Sequence, residues 1–125
     1  MPKMPEEVKK EWDNRAGAIV LSTVDADGTP NSIYATCVGL YEDSKIVVAN
    51  NYFDKTIKNI RAGSRASVVF ITEEKKSYQV KGNLEYHENG PIFDFMKSWN
   101  PEKHPGHGAA AVEIVELYSG SKKLI

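Results

Sequence analysis

A lysine and a threonine stand side by side at the start of a predicted helix, in the segment DKTIKNIRAGSRASVVF at residues 54–70. The free backbone N–H groups and the positive dipole end of a helix start suit a phosphate. Lys55 would add a formal charge there, and Thr56 would add a hydroxyl donor. The segment is therefore a candidate anion-binding site.

The same segment is also explained by an ordinary helix with a solvent-exposed face. Asp54 is a plausible N-cap, and Lys55, Lys58 and Arg61 could form a solvated face. A carboxylate at position 54 would compete with a phosphate for the same backbone donors. Because short motifs often match by chance, spacing alone favours the solvated helix over the phosphate site. Both interpretations remain open on the residues of this segment.

The segment PNSIYATCV at residues 30–38 is a second candidate site. Ser32, Ile33 and Tyr34 could present backbone donors and acceptors to a planar ring, with the tyrosine as an aromatic wall. A plain strand with one tyrosine explains the segment equally well and is favoured. Cys37 lies between Thr36 and Val38, which predicts a strand interior and an inert thiol.

The segment HPGH is a third candidate, because two histidines with this spacing can bind a metal. A Pro/Gly loop does not fix the distance between the two histidines. No cysteine or acidic cluster lies near enough in sequence to complete four metal ligands. His104 and His107 are therefore predicted to be surface histidines. No nucleophile elbow and no glycine-rich nucleotide loop is present, so no catalytic residue is assigned.

Bulk composition narrows the class of protein. The 125 residues predict one domain, and a chain that is 41% hydrophobic and 26% charged is typical of globular proteins. A net charge of -1 supplies no basic field for nucleic acid, so single-stranded nucleic-acid binding is only a fallback. The single cysteine, the absence of an apolar leader and the shortness of the apolar runs predict a cytoplasmic protein without membrane association.

Hydrophobic periodicity places these segments on secondary structure. PEEVKKEW predicts a short N-terminal helix with Val8 and Trp12 on one face. Three strands are expected within residues 18–50, and the nearly continuous apolar run 18–24 predicts a strand buried on both faces. The helix at 54–61 follows, with Ile57 and Ile60 on one face and Gly63 as its stop.

The second half of the chain predicts strands RASVVFIT, SYQVKGNLEY and AAAVEIVELY. In SYQVKGNLEY, alternation points Tyr78, Val80, Leu84 and Tyr86 to one side. Between the last two strands, NGPIFDFMKSW predicts a helix with Ile92, Phe95, Met96 and Trp99 on one stripe. About six mostly antiparallel strands, with one helix between the third and fourth, avoid exposed edges by closing into a barrel. The predicted fold is mainly β, a six-stranded antiparallel barrel with small helices.

The order of AIVLSTVDADGTPNSIYA, KIVVAN and DKTIKNIRAGSRASVVF resembles the pyridoxamine 5'-phosphate oxidase-like family of FMN-binding split barrels, in particular its short members. The pattern K-x-x-x-N-I-R-x-x-x-R-A-S-V carries most of the resemblance, which is good over residues 12–90. It implies a homodimer with FMN at the subunit interface. The chain lacks the C-terminal R-x-x-P region of true pyridoxamine phosphate oxidases, so that reaction is not expected.

The resemblance also implies which residues contact FMN. Lys55 and Thr56 would contact the phosphate; Ser32, Ile33 and Tyr34 would line the isoalloxazine; Ala49, Asn50 and Asn51 would flank the ribityl chain and ring; Trp99 and Leu124 would cover the ring from the partner chain. Lys81 would neighbour the phosphate or the ring, and Gly82 is a position of close backbone approach.

The resemblance predicts a flavoprotein that works as an oxidoreductase or as an electron carrier with a small-molecule redox partner. Two alternatives stay open. The same barrel could hold haem or a deazaflavin, or it could be a cofactor-free binding barrel. Under either alternative the protein would have no FMN redox activity.

Overall fold

The computed structural model describes residues 2–125, which form three helices and ten strands. The helices are α1 (Glu6–Asp13), α2 (Lys55–Arg61) and α3 (Pro91–Trp99). The strands are β1 (Ile19–Val24), β2 (Pro30–Ala35), β3 (Val38–Tyr41), β4 (Lys45–Asn50), β5 (Ala66–Ile71), β6 (Ser77–Gly82), β7 (Leu84–His87), β8 (Gly108–Glu113), β9 (Glu116–Ser119) and β10 (Lys122–Lys123). None of the helices within residues 2–125 has the length and apolar character needed to cross a membrane.

The strands form two antiparallel sheets. One has the order β10-β9-β6-β5-β1-β2, and the other has the order β3-β4-β8-β7. The prediction of a mainly β, antiparallel fold with small helices is confirmed, and the two sheets are consistent with a split barrel. The count of six strands is wrong. Residues 18–50 contain four strands instead of three, so α2 follows the fourth strand.

Two segments predicted as single strands each divide where the chain crosses between the sheets. SYQVKGNLEY becomes β6 and β7, and AAAVEIVELY becomes β8 and β9. At the first crossing a Cβ on Gly82 would lie 1.6 Å from the Glu113 carbonyl oxygen, which confirms the predicted close approach. The core-facing alternation continues through this corner, so periodicity gave no sign of the break.

The main core lies between the two sheets and is closed at one end by α1. Val8 and Trp12 share the buried face of this helix, as predicted. The Trp12 ring packs edge-on against Phe70, with ring centroids 5.1 Å apart. The other buried members come from both sheets: Ile19, Leu21, Ile46, Val48, Val68, Val80, Val112 and Leu117.

A second apolar cluster lies between α3 and the outer face of the four-stranded sheet. Ile92 and Met96 of α3 are buried against Val47 and Ala49 of β4. Strand β4 is consequently buried on both faces. The prediction that the strand at 18–24 has this property is wrong, because β1 alternates buried and half-buried positions and ends at an exposed residue.

Helix α2 connects the two sheets and is anchored to the six-stranded one. Its buried side chains are Thr56 and Asn59, whereas the predicted isoleucine face is only half-buried. The Asn59 side-chain amide donates a hydrogen bond to Thr23 Oγ1 of β1 at 3.0 Å. Gly63, with φ of +90°, follows the helix end as predicted, and the N–H of Ser64 donates back to the carbonyl oxygen of Asn59.

Candidate functional site

A cleft of about 390 Å³ lies where the end of β2, the end of β4 and the start of α2 meet. It is lined by Ile33, Tyr34, Ala35, Thr36, Cys37, Ala49, Asn51, Tyr52, Phe53, Asp54, Lys55, Thr56 and His104. Six of the eleven residues predicted to contact a cofactor are therefore gathered in one place. A volume of this size is typical of a small-molecule site.

Lys55 and Thr56 present two donors to the cleft. Lys55 is exposed, and its ammonium has no carboxylate within 4.0 Å among residues 2–125. The Thr56 side chain is buried, and its hydroxyl oxygen accepts a hydrogen bond from Asn31 Nδ2 at 3.2 Å. No acceptor for the hydroxyl proton is found among residues 2–125, so this proton can be donated to a ligand.

Asp54 does not occupy the backbone donors of α2. It stands at the N-cap position, but its side chain makes no capping hydrogen bond. Its carboxylate is 79% exposed and lies 3.9 Å from Lys58 Nζ. The prediction that this side chain caps the helix is wrong, and the conflict between a carboxylate and a phosphate at this helix start disappears.

Strand β2 forms one wall of the cleft. It is the edge strand of the six-stranded sheet, paired only with β1 among the described strands. Ile33 packs partly into the core, while Tyr34 is 81% exposed. The Ser32 hydroxyl lies 2.8 Å from the Ser22 hydroxyl on β1 and does not line the cleft.

The two asparagines that end β4 have different partners. Asn50 does not line the cleft; its amide donates to Tyr86 Oη at 2.8 Å and accepts from the N–H of Phe53 at 3.0 Å. Asn51 lines the cleft and pairs with Asn100 through two side-chain hydrogen bonds of 3.0 and 2.9 Å. Both side chains are thus engaged within the protein.

Three further predicted contacts lie outside this cleft. Lys81 borders a separate depression of about 250 Å³. Trp99 packs against Gly39 at the end of α3, and its buried Nε1–H has no hydrogen-bond partner within residues 2–125. Leu124 lies in the C-terminal tail, 39% exposed. Within one chain, these three residues do not line the cleft that contains the other predicted contacts. For Trp99 and Leu124 the resemblance implies contact with the flavin of a partner chain.

His104 is a cleft residue that sequence reasoning missed. It is half-buried, and its Nδ1 lies 3.0 Å from Tyr52 Oη, with the two rings edge-on. The register of β4 with β8, in which Asn50 is opposite Gly108, carries the HPGH loop to this place. A prediction that the segments KIVVAN and GAAAVE pair as strands would have placed the HPGH loop, and with it His104, beside the end of β4. His107 is exposed, as predicted.

Cys37 also borders the cleft, from the connection between β2 and β3. Its prediction as a strand-interior residue is wrong, because β2 ends at Ala35 where the chain passes from one sheet to the other. No three His, Cys, Asp or Glu side chains of the described chain are grouped as a metal site requires.

Comparison with known protein families identifies the family of this chain. The family described as pyridoxamine 5'-phosphate oxidase matches residues 4–118. The chain belongs to the pyridoxamine 5'-phosphate oxidase-like family. One relative in sequence is the uncharacterized protein MJ0282 of Methanocaldococcus jannaschii. It is 27% identical over 123 residues, which cover 94% of this chain and 80% of the relative.

Solved structures share the pyridoxamine 5'-phosphate oxidase-like fold. HupZ of Group A Streptococcus superposes with a TM-score of 0.81 at 20% identity, covering 93% of both chains. An FMN-binding protein from Syntrophomonas wolfei superposes with a TM-score of 0.75 at 22% identity, covering 93% of this chain and 96% of the other. Likeness at these identities establishes the fold.

Other proteins with this fold are described by different ligands. An F420 reductase superposes with a TM-score of 0.71 at 17% identity, covering 92% of this chain and 98% of the other. The haem storage protein HutZ of Vibrio cholerae reaches 0.69 at 17% identity, covering 94% and 95%. The family fold therefore occurs with FMN, F420 and haem proteins.

Proposed function

We propose that this chain is an FMN-binding flavoprotein that acts as an oxidoreductase or as an electron carrier. The observation that carries the proposal is the single cleft that joins Lys55 and Thr56 to the β2 residues Ile33 and Tyr34. A phosphate needs cationic and hydroxyl donors, and a planar ring needs an apolar and aromatic wall. This cleft offers both within about 390 Å³.

Each donor has a distinct part in holding the phosphate. The Lys55 ammonium supplies a charge-assisted hydrogen bond, because no carboxylate in the described chain neutralises it. The Thr56 hydroxyl oxygen accepts a hydrogen bond from Asn31, and its own proton can be donated to a phosphate oxygen. Bound FMN would supply the redox chemistry, and the protein would supply orientation and exclusion of water.

A second copy of the chain would complete the site. The cleft is bordered by β2, which is a sheet edge, and Tyr34 there is 81% exposed. We infer a homodimer in which the partner covers the flavin ring. Trp99 and Leu124 of the partner are the proposed cover, and Lys81 remains a proposed neighbour of the phosphate or ring.

Titration of the purified protein with FMN tests the proposal. We expect a yellow complex of one FMN per chain, seen by flavin absorbance and by a change in flavin fluorescence. Riboflavin, which lacks the phosphate, should bind more weakly because Lys55 and Thr56 lose their partner. A protein that stays colourless after FMN is added, with no FMN in a denatured extract, would contradict the proposal.

Haem is the second candidate, and a specific observation favours it over a cofactor-free barrel. His104 brings an imidazole into the cleft, and histidine is a common axial ligand of haem iron. If haem is the ligand, haemin will give a sharp Soret band that His104→Ala abolishes, whereas FMN will not bind. A deazaflavin would be recognised by its own absorbance spectrum in the protein as purified.

An enzyme and an electron carrier are separated by steady-state kinetics. A reductase would oxidise a nicotinamide cofactor continuously when a small organic acceptor is supplied. A carrier would be reduced once and then exchange electrons only with a redox partner. No side chain of the cleft is assigned as a general acid or base in either case.

A further inference from the structure

The loop of residues 100–107 is fastened to the end of β4 by a set of hydrogen bonds, which we call the Asn51 clamp. Asn51 and Asn100 are both buried and exchange two amide hydrogen bonds of 3.0 and 2.9 Å. The N–H of Gly106 donates to Asn51 Oδ1 at 2.9 Å, and the N–H of His107 donates to the carbonyl oxygen of Asn50 at 2.9 Å. The loop is thus held at both its ends.

Two further contacts hold the middle of the loop. Lys97 Nζ donates to the carbonyl oxygen of Pro105 at 3.0 Å, and the N–H of His104 donates to that of Pro101 at 3.0 Å. Gly106 has φ of +53°, and a Cβ there would lie 2.9 Å from Asn100 Nδ2. The loop is therefore closely packed, although it lies at the surface.

The consequence of this clamp is the position of His104. Its Nδ1 is paired with Tyr52 Oη at 3.0 Å, and its ring stands edge-on to the Tyr52 ring at the cleft. The hydrogen bonds of its side chain within residues 2–125 use Nδ1, so Nε2 is the nitrogen open to a ligand. Buried amide pairs are costly to leave unsatisfied, so the clamp fixes the backbone of the loop that carries His104.

Lys55 and His104 both line the cleft, but their surroundings differ. Lys55 also borders a neighbouring depression of about 350 Å³, which Lys58 and Asn31 line. His104 and Tyr52 line the cleft but not that depression. A ligand whose phosphate is held by Lys55 would therefore share with His104 the cleft that both residues line.

We propose that His104 is a ligand-binding residue whose Nε2 hydrogen-bonds the ring or ribityl portion of FMN, and that Asn51 and Asn100 are its positioning residues. The proposal rests on the proposed function, because it takes FMN as the ligand. It adds a contact from the HPGH loop to the contacts that family resemblance implies. Tyr52 keeps the imidazole at the cleft by holding Nδ1.

The experiment compares FMN and riboflavin affinities by flavin fluorescence in wild-type protein and variants. His104→Ala should weaken both ligands about 2- to 12-fold, which is the loss of one ordinary hydrogen bond. Lys55→Ala should weaken FMN and leave riboflavin unchanged. His104→Gln retains a hydrogen-bonding group and should recover part of the loss. His107→Ala is the matched control, because this exposed side chain lies on the same loop and only its backbone is used.

A double-mutant cycle tests the positioning role. Asn100→Ala should weaken both flavins as His104→Ala does, and the double variant should lose no more than either single variant. Circular dichroism checks that the variants are folded. Tyr52→Phe, at an exposed residue, gives the same test without disturbing the buried pair and should weaken both flavins by a smaller factor.

The possible results separate the two proposals. If His104→Ala binds both flavins as tightly as wild type while Lys55→Ala loses FMN affinity, the role of His104 is refuted and the FMN function stands. Additive losses in the Asn100 and His104 cycle would overturn the positioning role. If wild-type protein binds neither flavin, both proposals fail.

Discussion

At the residue scale, the residues predicted to contact FMN include side chains with an unengaged donor and side chains that already make hydrogen bonds within the protein. Lys55 and Thr56 belong to the first kind, since each has a donor without a partner among residues 2–125. Asn50 and Asn51 belong to the second kind. The resemblance assigned all four to FMN, and Lys55, Thr56 and Asn51 line the cleft whereas Asn50 does not.

Removal of the Lys55 charge is expected to weaken FMN binding by about 1–3 kcal/mol, the range for losing a hydrogen bond to a charged group. Lys55→Ala is compared with Lys58→Ala, one helical turn further along α2, where the ammonium is 77% exposed and lies 3.9 Å from Asp54. Fluorescence titration measures both affinities. Equal losses in the two variants would instead place the phosphate in the neighbouring depression that both lysines border.

Glu85 gives a pH-dependent contribution to stability. Burial by itself would raise the pKa of Glu85, but the hydrogen bonds from His87 and Lys45 outweigh it, so that this pKa lies below its ordinary value of 4.5. A carboxylate with a depressed pKa stabilises the fold above about pH 4.5, and the stabilisation is lost as the pH falls through the folded-state pKa. The Glu85 side chain is 39% exposed, so the effect is less than about 1 kcal/mol.

The measurement compares wild-type protein with Glu85→Gln by urea unfolding between pH 6 and pH 3. We expect the wild-type protein to be the more stable at pH 6 and the difference to shrink as the pH falls. A difference in unfolding free energy that stays constant over this range would contradict the assignment.

At the element scale, the cleft depends on the antiparallel pair of β4 and β8. Strand β4 leads into residues 51–56, and the HPGH loop leads into β8. Because Asn50 is opposite Gly108 in the register, these two segments meet at the same edge of the four-stranded sheet. The Asn51 clamp then fixes their separation.

The packing of this loop can be tested at Gly106. Gly106→Ala should destabilise the fold in two ways, since φ is +53° and the added Cβ meets Asn100 Nδ2 at 2.9 Å. Gly120→Ala is the matched control, because φ there is +57° and nothing lies within 4 Å of the added Cβ. The control should cost about 1–2 kcal/mol for the backbone conformation, and Gly106→Ala about 1–3 kcal/mol more. Chemical unfolding measures the free energy of unfolding of both variants. Equal losses would show that the loop accommodates the added methyl group at no further cost.

At the scale of the whole molecule, one sheet is covered and the other has a free edge. Helix α3 buries the outer face of the four-stranded sheet, whereas β2 ends the six-stranded sheet beside the cleft. The exposed Tyr34 ring and this sheet edge fit a second copy of the chain. A flavin bound there would be shielded from water by both subunits.

The proposed dimer is tested by light scattering after size exclusion. The 13.9 kDa chain should elute with a mass of about 28 kDa, twice that of one chain. Tyr34→Glu should shift the mass towards the monomer and weaken FMN binding, because a charge would be buried at the interface. Lys10→Glu, an exposed position on α1, should change neither. A wild-type monomer that binds FMN at full affinity would refute the interfacial site.

Periodic patterns predicted the elements well where each element stays within one environment. Helices α1 and α3, with their buried stripes, follow directly from apolar spacing of three and four residues. The same patterns failed at the corners of the barrel, since core-facing alternation runs unbroken from β6 into β7. The strand count was therefore too low, and the strand buried on both faces was misplaced.

The sequence by itself determined the antiparallel β class, the helices and, through family resemblance, the segments expected at a flavin. These depend on local periodicity and on short motifs. The tertiary structure decided that Lys55, Thr56, Ile33 and Tyr34 share a cleft with His104, and that Asp54 leaves the start of α2 open. Local patterns carry no information on the shared cleft, because it arises from strand register and from amide pairs between residues about fifty positions apart.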